Sequence, residues 1–488
     1  MGTWCTTSSS GACDGGWRAP ARAGVTPRAP GRCRRRLSVA VVRVDRVSHS
    51  SAHAQSPYPA VPAYEPQPSF DAVPERARWR YKPRRALWRS KVVQASAVVI
   101  VLALCGLVIL ALVREQTGTE GFLVGLGLAL LPVPLLMAAF RWLDRVEPGP
   151  WRNLLFAFAW GACAAALVAI VANTFATRWI ATATADPASA DTLGATVVAP
   201  VVEESAKAAA VLLVFLFRRR DFTGIVDGVV IAGFTATGFA FTENILYLGN
   251  AFGEDQQFGT SGLASVTAAT FFVRIVMSPF AHPLFTVLTG IGFGVAALTA
   301  RRRRVRRVAL PLLGLVLAMG MHALWNGSAA YGPWGFYAVY GACMVPAFGL
   351  LTWLAIWSRQ RELRTISGEL PAYAAAGWLT PAEPLALSSM RARGLARGYA
   401  ARCFGPAAAR AVGEYETFAT SLAFLRHRAR RGAVGPDFTA REQELLHHLW
   451  QRKEIAGPAL TYAAQVTGRV WTPPPYLNYG GGYNPYRS

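Results

Sequence analysis

The chain has 488 residues, of which 53% are hydrophobic and only 16% charged, against about 25% charged in a soluble globular domain. That balance excludes an ordinary soluble domain and points to a membrane protein. The formal net charge of +23 would suit nucleic acid, but the basic residues crowd the tails and the short gaps between apolar runs; the positive-inside rule explains that placement, and no nucleic-acid partner is expected.

Residues 1–90 are rich in Ala, Arg, Gly, Ser and Pro without a sustained period, which predicts a disordered basic tail with no signal-peptide core. Arg84, Arg85, Arg89 and Lys91 close it as a basic collar. The seven cysteines are scattered and include no CxxC pair, so neither a zinc ribbon nor a disulfide framework is expected.

Apolar runs then alternate with short polar gaps. A bilayer crossing takes roughly 20 apolar residues, and about eight such runs are present. They lie near residues 92–113, 121–140, 153–176, 193–217, 225–248, 278–300, 308–330 and 335–357. The shorter piece from Val266 to Met277 carries Arg274 and reads as interfacial or as an extension of the sixth span. Arginines mark every second gap (Arg141, Arg145 and Arg152; Arg218–Arg220; Arg301–Arg304; Arg359, Arg361 and Arg364), while REQTGTE, GEDQQFGTSG and YGPWG are nearly free of them. The expected fold is therefore all-α: a polytopic, multi-pass helix bundle of the cell membrane over residues 91–358, with both termini cytoplasmic.

Residues 359–488 change character. LSSMRARGLARGYAARC, EYETFATSLAFLRHRARRG and TAREQELLHHLWQRK have apolar positions three and four apart, which predicts a small cytoplasmic helical region with a loose Gly/Pro/Tyr-rich end. Thr439 and Glu442 have the spacing of a capping box. His447 and His448 face different sides of a helix and read as surface residues.

The spans themselves carry ionisable groups. The fourth has Glu203, Glu204 and Lys207; the fifth has Glu243 and Asn244, with Asp227 at its start; the sixth has His282; the seventh has His322 and Asn326. Each charge at a helix centre costs about 2.5–3.5 kcal/mol on insertion scales, so pairing or water must offset them. At 1.5 Å per residue, Glu203 and His322 lie about 20 Å from the arginine-bearing end, and Glu243 and His282 roughly 27 Å. Four helices thus place reactive groups in one slab, as a single site would require. Glu203 and Lys207 share a face, as do His322 and Asn326, while Glu204 is turned about 100° from Glu203, toward a neighbouring helix. Pro200 is expected to kink the fourth span, and Pro279 and Pro283 to break the backbone around His282.

Peptide hydrolysis needs a base for water, donors for an oxyanion and an acid for the leaving amine. The residues permit two arrangements. In one, a glutamate activates water, with His322 and Asn326 at the oxyanion and Asn244 in support. In the other, Glu243, His282 and His322 form a His₂Glu zinc set with one open position. Buried carboxylates and histidines also build proton or cation pathways, so a coupled transporter is the alternative class, although no inverted repeat of these segments is visible.

EESAK (Glu203–Lys207), GFAFTENILY (Gly238–Tyr247), His282 and HALWN (His322–Asn326), preceded by LDRVEPGP (Leu143–Pro150), resemble the ordered motifs of the PrsW family of intramembrane proteases across roughly residues 140–330. That family resembles the CAAX prenyl endopeptidase and bacteriocin-processing membrane proteases. The resemblance implies that Glu203 and Glu204 are catalytic, that Glu243, His282 and His322 complete the site, and that the substrate is a single-span membrane protein such as an anti-sigma factor.

Overall fold

The computed structural model describes residues 91–470, with side chains from Gln94 onward. The tail expected at 1–90, the loose end GGGYNPYRS and the side chains of the basic collar lie outside the described residues. Every regular element in 91–470 is helical, as the apolar periodicity predicts.

Five helical stretches among the described residues are long and apolar enough to cross a bilayer: Gln94–Leu143, Trp151–Thr184, Ile225–Phe258, Val266–Leu298 and Arg304–Ala375. The first joins α1 (Lys91–Leu130) and α2 (Pro132–Leu143). Where the sequence suggests a loop at REQTGTE, helix continues on both sides of a sharp break at Gly118, whose φ of 72° and ψ of 170° suit glycine alone. The second joins α3 (Trp151–Ala159) to α4 (Ala166–Thr184) through a π-helical turn at Trp160–Ala165.

After α5 (Pro187–Leu193), a π-helical turn at Gly194–Val198 leads into α6 (Ala199–Phe217), the helix with the paired glutamates. Pro200 is the second residue of α6, and the widened turn before it absorbs the missing N–H, so the expected kink becomes a π-bulge. Next, α7 (Ile225–Phe258) is buried along most of its length and serves as the axle of the bundle. Its start is capped by Asp227, whose Oδ2 accepts from the backbone N–H and hydroxyl of Thr223 and from the Gly224 N–H, at 2.6, 2.7 and 3.0 Å.

Small residues let neighbours touch this axle. A Cβ on Gly228 would strike the Gly290 carbonyl and one on Gly290 the Gly228 carbonyl; Gly161 and Gly238 lie equally close to Thr235 and Phe158. The segment Val266–Met277 forms α8 (Val266–Phe271) and a π-helical turn, in one apolar stretch with α9 (Ala281–Leu298). The backbone breaks at Ser278–Phe280, not at His282. The histidine sits in the first turn of α9, where Pro283 needs no N–H partner.

The last stretch contains α10 (Arg304–Ser328), α11 (Gly332–Val339) and α12 (Val345–Glu369), with a positive-φ bend at Gly332. Helix α12 runs unbroken through residues 358 and 359 and carries Ile366 into a second core. There α13 (Pro371–Ala375), α14 (Ala382–Leu387), α15 (Met390–Phe404), α16 (Pro406–Arg430) and α17 (Phe438–Val466) pack around buried alanines, Tyr373 and Tyr415. The Thr439 capping box does not form. Asp437 precedes the helix, Thr439 lies inside it, and Glu442 turns inward to accept from the Tyr373 hydroxyl and from Arg426. His448 is half-buried and stacks on Phe418 at 4.5 Å.

Val146, from the loop between α2 and α3, is fully buried in this second core. The Arg393 guanidinium donates to its carbonyl at 2.9 Å, and the Ser421 hydroxyl donates to Glu147 at 2.9 Å. The helical module is therefore docked on the end of the bundle from which Arg141, Arg145 and Arg152 project.

Candidate active site

Lys207 stands at the centre of the ionisable groups and is fully buried. Its Nζ donates to Glu204 Oε1 at 2.8 Å and to Glu203 Oε2 at 3.4 Å, lies 3.2 Å from His282 Nδ1, and sits 3.8 Å above the Phe239 ring. The one-face pairing read from sequence holds for Glu203. Glu204 shares the ammonium as well, at a shorter distance.

Glu204 is completely buried. It also meets His322 Nδ1 at 3.1 Å and accepts from the Thr286 hydroxyl at 2.8 Å. Its contacts therefore reach α9 and α10 from α6. With Nδ1 engaged, His322 turns Nε2 toward Glu203, 3.9 Å away, while Phe285 stacks on the ring at 4.8 Å. The imidazoles of His282 and His322 lie 5.4 Å apart and nearly perpendicular.

His282 has its own carboxylate. Its Nε2 lies 2.5 Å from Glu243 Oε2, and that oxygen is 2.8 Å from Arg274. Arg274 is held by Asn244, whose Oδ1 accepts from its Nε at 2.7 Å, and by the Tyr247 ring, 3.9 Å below the guanidinium. Each histidine thus has a carboxylate on one ring nitrogen, the arrangement that fixes an imidazole's tautomer and orientation.

The structure therefore joins Glu203, Glu204, Lys207, Glu243, His282 and His322 in one cluster. Two expected members stand elsewhere. Asn326 does not face the carboxylates; its Nδ2 donates to the Ala195 carbonyl at 2.9 Å and ties α10 to the π-helical turn before α6. Asn244 is a support for Arg274, not an oxyanion donor. Three residues escape the sequence reading: Thr286, Arg274 and Asn173, whose Nδ2 lies 3.4 Å from Glu203 Oε1. Thr286 had a signal, four residues from His282 and so on its face, and Arg274 was a charge in an apolar run.

Glu203, His282 and His322 each offer a ligand atom, and the three atoms lie within 4.8 Å of one another. A zinc tetrahedron has edges of about 3.3 Å, and two histidines with one glutamate are a catalytic zinc donor set. The set fits in donor type and nearness. Glu203 takes the place that the sequence reading gave to Glu243, which is committed to His282 and Arg274. Three carboxylates face two basic side chains here, and the surplus negative charge also favours a cation.

The family model described as PrsW family intramembrane metalloprotease matches residues 149–351. The match begins at the end of LDRVEPGP and extends beyond HALWN. The chain is also similar to Protease PrsW of Geobacillus kaustophilus (strain HTA426), with 27% identity over 247 residues, which is 50% of this chain and 92% of that protein. No solved structure matches it.

Proposed function

The membrane domain of this chain belongs to the PrsW family of intramembrane proteases, and from that premise we propose that it hydrolyses a peptide bond in or near the membrane segment of a single-span protein, an anti-sigma factor being the first substrate to test. The observation that carries this reading is the gathering of Glu203, Glu204, Glu243, His282 and His322 from four helices into one connected cluster, in which the Lys207 ammonium contacts Glu203, Glu204 and His282, Glu204 contacts His322 and His282 contacts Glu243.

Glu203 is the base that takes a proton from water. It is the carboxylate nearest the unengaged Nε2 of His322, and it keeps slight exposure where Glu204 has none. Glu204 positions His322, and Thr286 holds Glu204 in turn. Glu243, steadied by Arg274, positions His282. Lys207 supplies a fixed positive charge where negative charge develops on the scissile carbonyl oxygen. In a metal-bound form Glu203 would be a ligand instead of the base: with His282 and His322 it would hold a zinc ion, which when bound lowers the pKa of water and polarises a carbonyl.

Purified full-length protein in liposomes, incubated with single-span substrates, tests this. Glu203→Gln should lower the cleavage rate by about 10²–10⁴-fold, the usual worth of a positioned base. Stoichiometric zinc in the active protein, with activity lost on chelation and restored by zinc, would support the metal-bound form. Ion flux without cleavage would sink the proteolytic reading and favour a transporter.

A further inference from the structure

A second polar site lies at the opposite end of the bundle from the carboxylate cluster. There a cavity of about 470 Å³ opens between the end of α6, the loop after it, the loop between α9 and α10, and the turn between α16 and α17. Eight arginines and two aspartates line it. Both aspartates are engaged: Asp221 lies 3.3 Å from Arg152 and accepts from Asn153, and Asp437 lies 4.0 Å from Arg220. Arg218, Arg219, Arg301, Arg307, Arg428 and Arg441 form no salt bridge among the described residues.

Arg428 is the informative one. Only 7% of it is exposed, its terminal nitrogen donates to the Phe222 carbonyl at 3.3 Å, and its Nε has no hydrogen-bond partner. The carboxylates of Glu147, Asp227 and Asp437 act on Arg428 from a distance without a hydrogen bond to it. A buried guanidinium with an idle donor, facing a cavity lined by six arginines without salt bridges among the described residues, therefore has room for a closer anion. A phosphate matches it, because several acceptor oxygens can receive forked N–H donors from more than one arginine.

We propose that this cavity binds the phosphate of an anionic membrane-lipid headgroup. The lipid source follows from the remaining wall. Phe215, Leu216 and Phe217 line the same cavity, and Leu216 and Phe217 are 42% and 77% exposed at the end of α6. A headgroup carries acyl chains that can lie on this wall, whereas a free anion leaves it bare. Arg428 and Arg441 belong to the helical module and Arg301 and Arg307 to the bundle, so one bound headgroup would join the two.

The test uses the full chain in a neutral detergent, with its unfolding midpoint followed during additions of phosphatidylglycerol, phosphatidylcholine or inorganic phosphate at matched ionic strength. Phosphatidylglycerol should raise the midpoint by about 5 °C near saturation, and phosphatidylcholine should leave it unchanged. Arg428→Gln should abolish the shift. The paired change Arg218→Gln with Arg219→Gln, at exposed positions that do not threaten folding, should weaken the apparent affinity by about tenfold. Arg361→Gln with Arg364→Gln, outside the cavity, should have no effect. An equal response to phosphatidylcholine, an equal loss in the Arg361/Arg364 pair, or a full shift with inorganic phosphate alone would each overturn the proposal.

Discussion

Lys207 is the residue on which the buried charges depend. It is the counter-ion for two carboxylates that have almost no access to water, and no other cation lies within ion-pair distance of either among the described residues except the histidines. Removing one partner of a buried ion pair typically costs about 3–5 kcal/mol, because the remaining charge is stranded. Lys207→Met should therefore lower the thermal midpoint in detergent markedly, and adding Glu204→Gln should recover part of the loss. An unchanged midpoint in the single variant would mean that the carboxylates are neutral without it. At this scale the sequence showed the ionisable residues, because charge in an apolar run has no structural excuse and equal depth can be counted. It did not show which carboxylate serves which histidine. Glu203 and Glu243 exchange places in the ligand set because the rotation of α7 against α9 and α10 decides that, and helical periodicity within one segment contains no such angle. Asn326 misled for the same reason, since it shares a segment with His322 yet bonds outside the cluster.

Among the helices, the contact of α7 with α9 sets the position of His282 relative to Glu243. Gly228 and Gly290 each occupy space that the other's carbonyl would deny to a side chain. Gly290→Val should push the pair apart, costing about 1–3 kcal/mol as overpacking does. It should also slow cleavage, because His282 lies two turns along the same helix. Gly349→Ala in α12, where a Cβ meets nothing within 4 Å, should change neither midpoint nor cleavage. Most helices could be read from runs of apolar residues, yet their interruptions could not. The π-helical turn before Pro200 and the break at Ser278–Phe280 depend on what packs alongside. The bend at Gly118 depends on a backbone angle that a lone glycine permits without requiring.

Across the whole molecule, the docking of the helical module on the bundle should be pH-sensitive, because Glu147 lies in the contact. Burial, with Asp227 nearby, pushes the Glu147 carboxyl up from 4.5 to about 7, against the opposing pull of Ser421, Thr223 and Arg428. Burial likewise raises Asp144 from 3.8 to about 7. A carboxyl raised on folding stabilises the folded state fully below its unfolded value and loses that contribution as pH rises through the folded value. The protection of amides in α16, after the intrinsic base-catalysed rise in exchange is divided out, should therefore fall between pH 5 and about 8, and Glu147→Gln should flatten part of that dependence. Glu416, also raised to about 7, sits inside the module and supplies a remainder. The amphipathic helices of the module were legible from their spacing. Their attachment through Val146 was not, since a single valine in a polar loop carries no pattern. Lys207 offsets part of the negative charge of Glu203 and Glu204 within a single helix, at spacings of four and three residues. This segment leaves the ribosome before the histidines of α9 and α10 have been synthesised. Because it carries a counter-charge of its own, entering lipid ahead of its later neighbours should cost this segment less than it would cost one with two bare carboxylates.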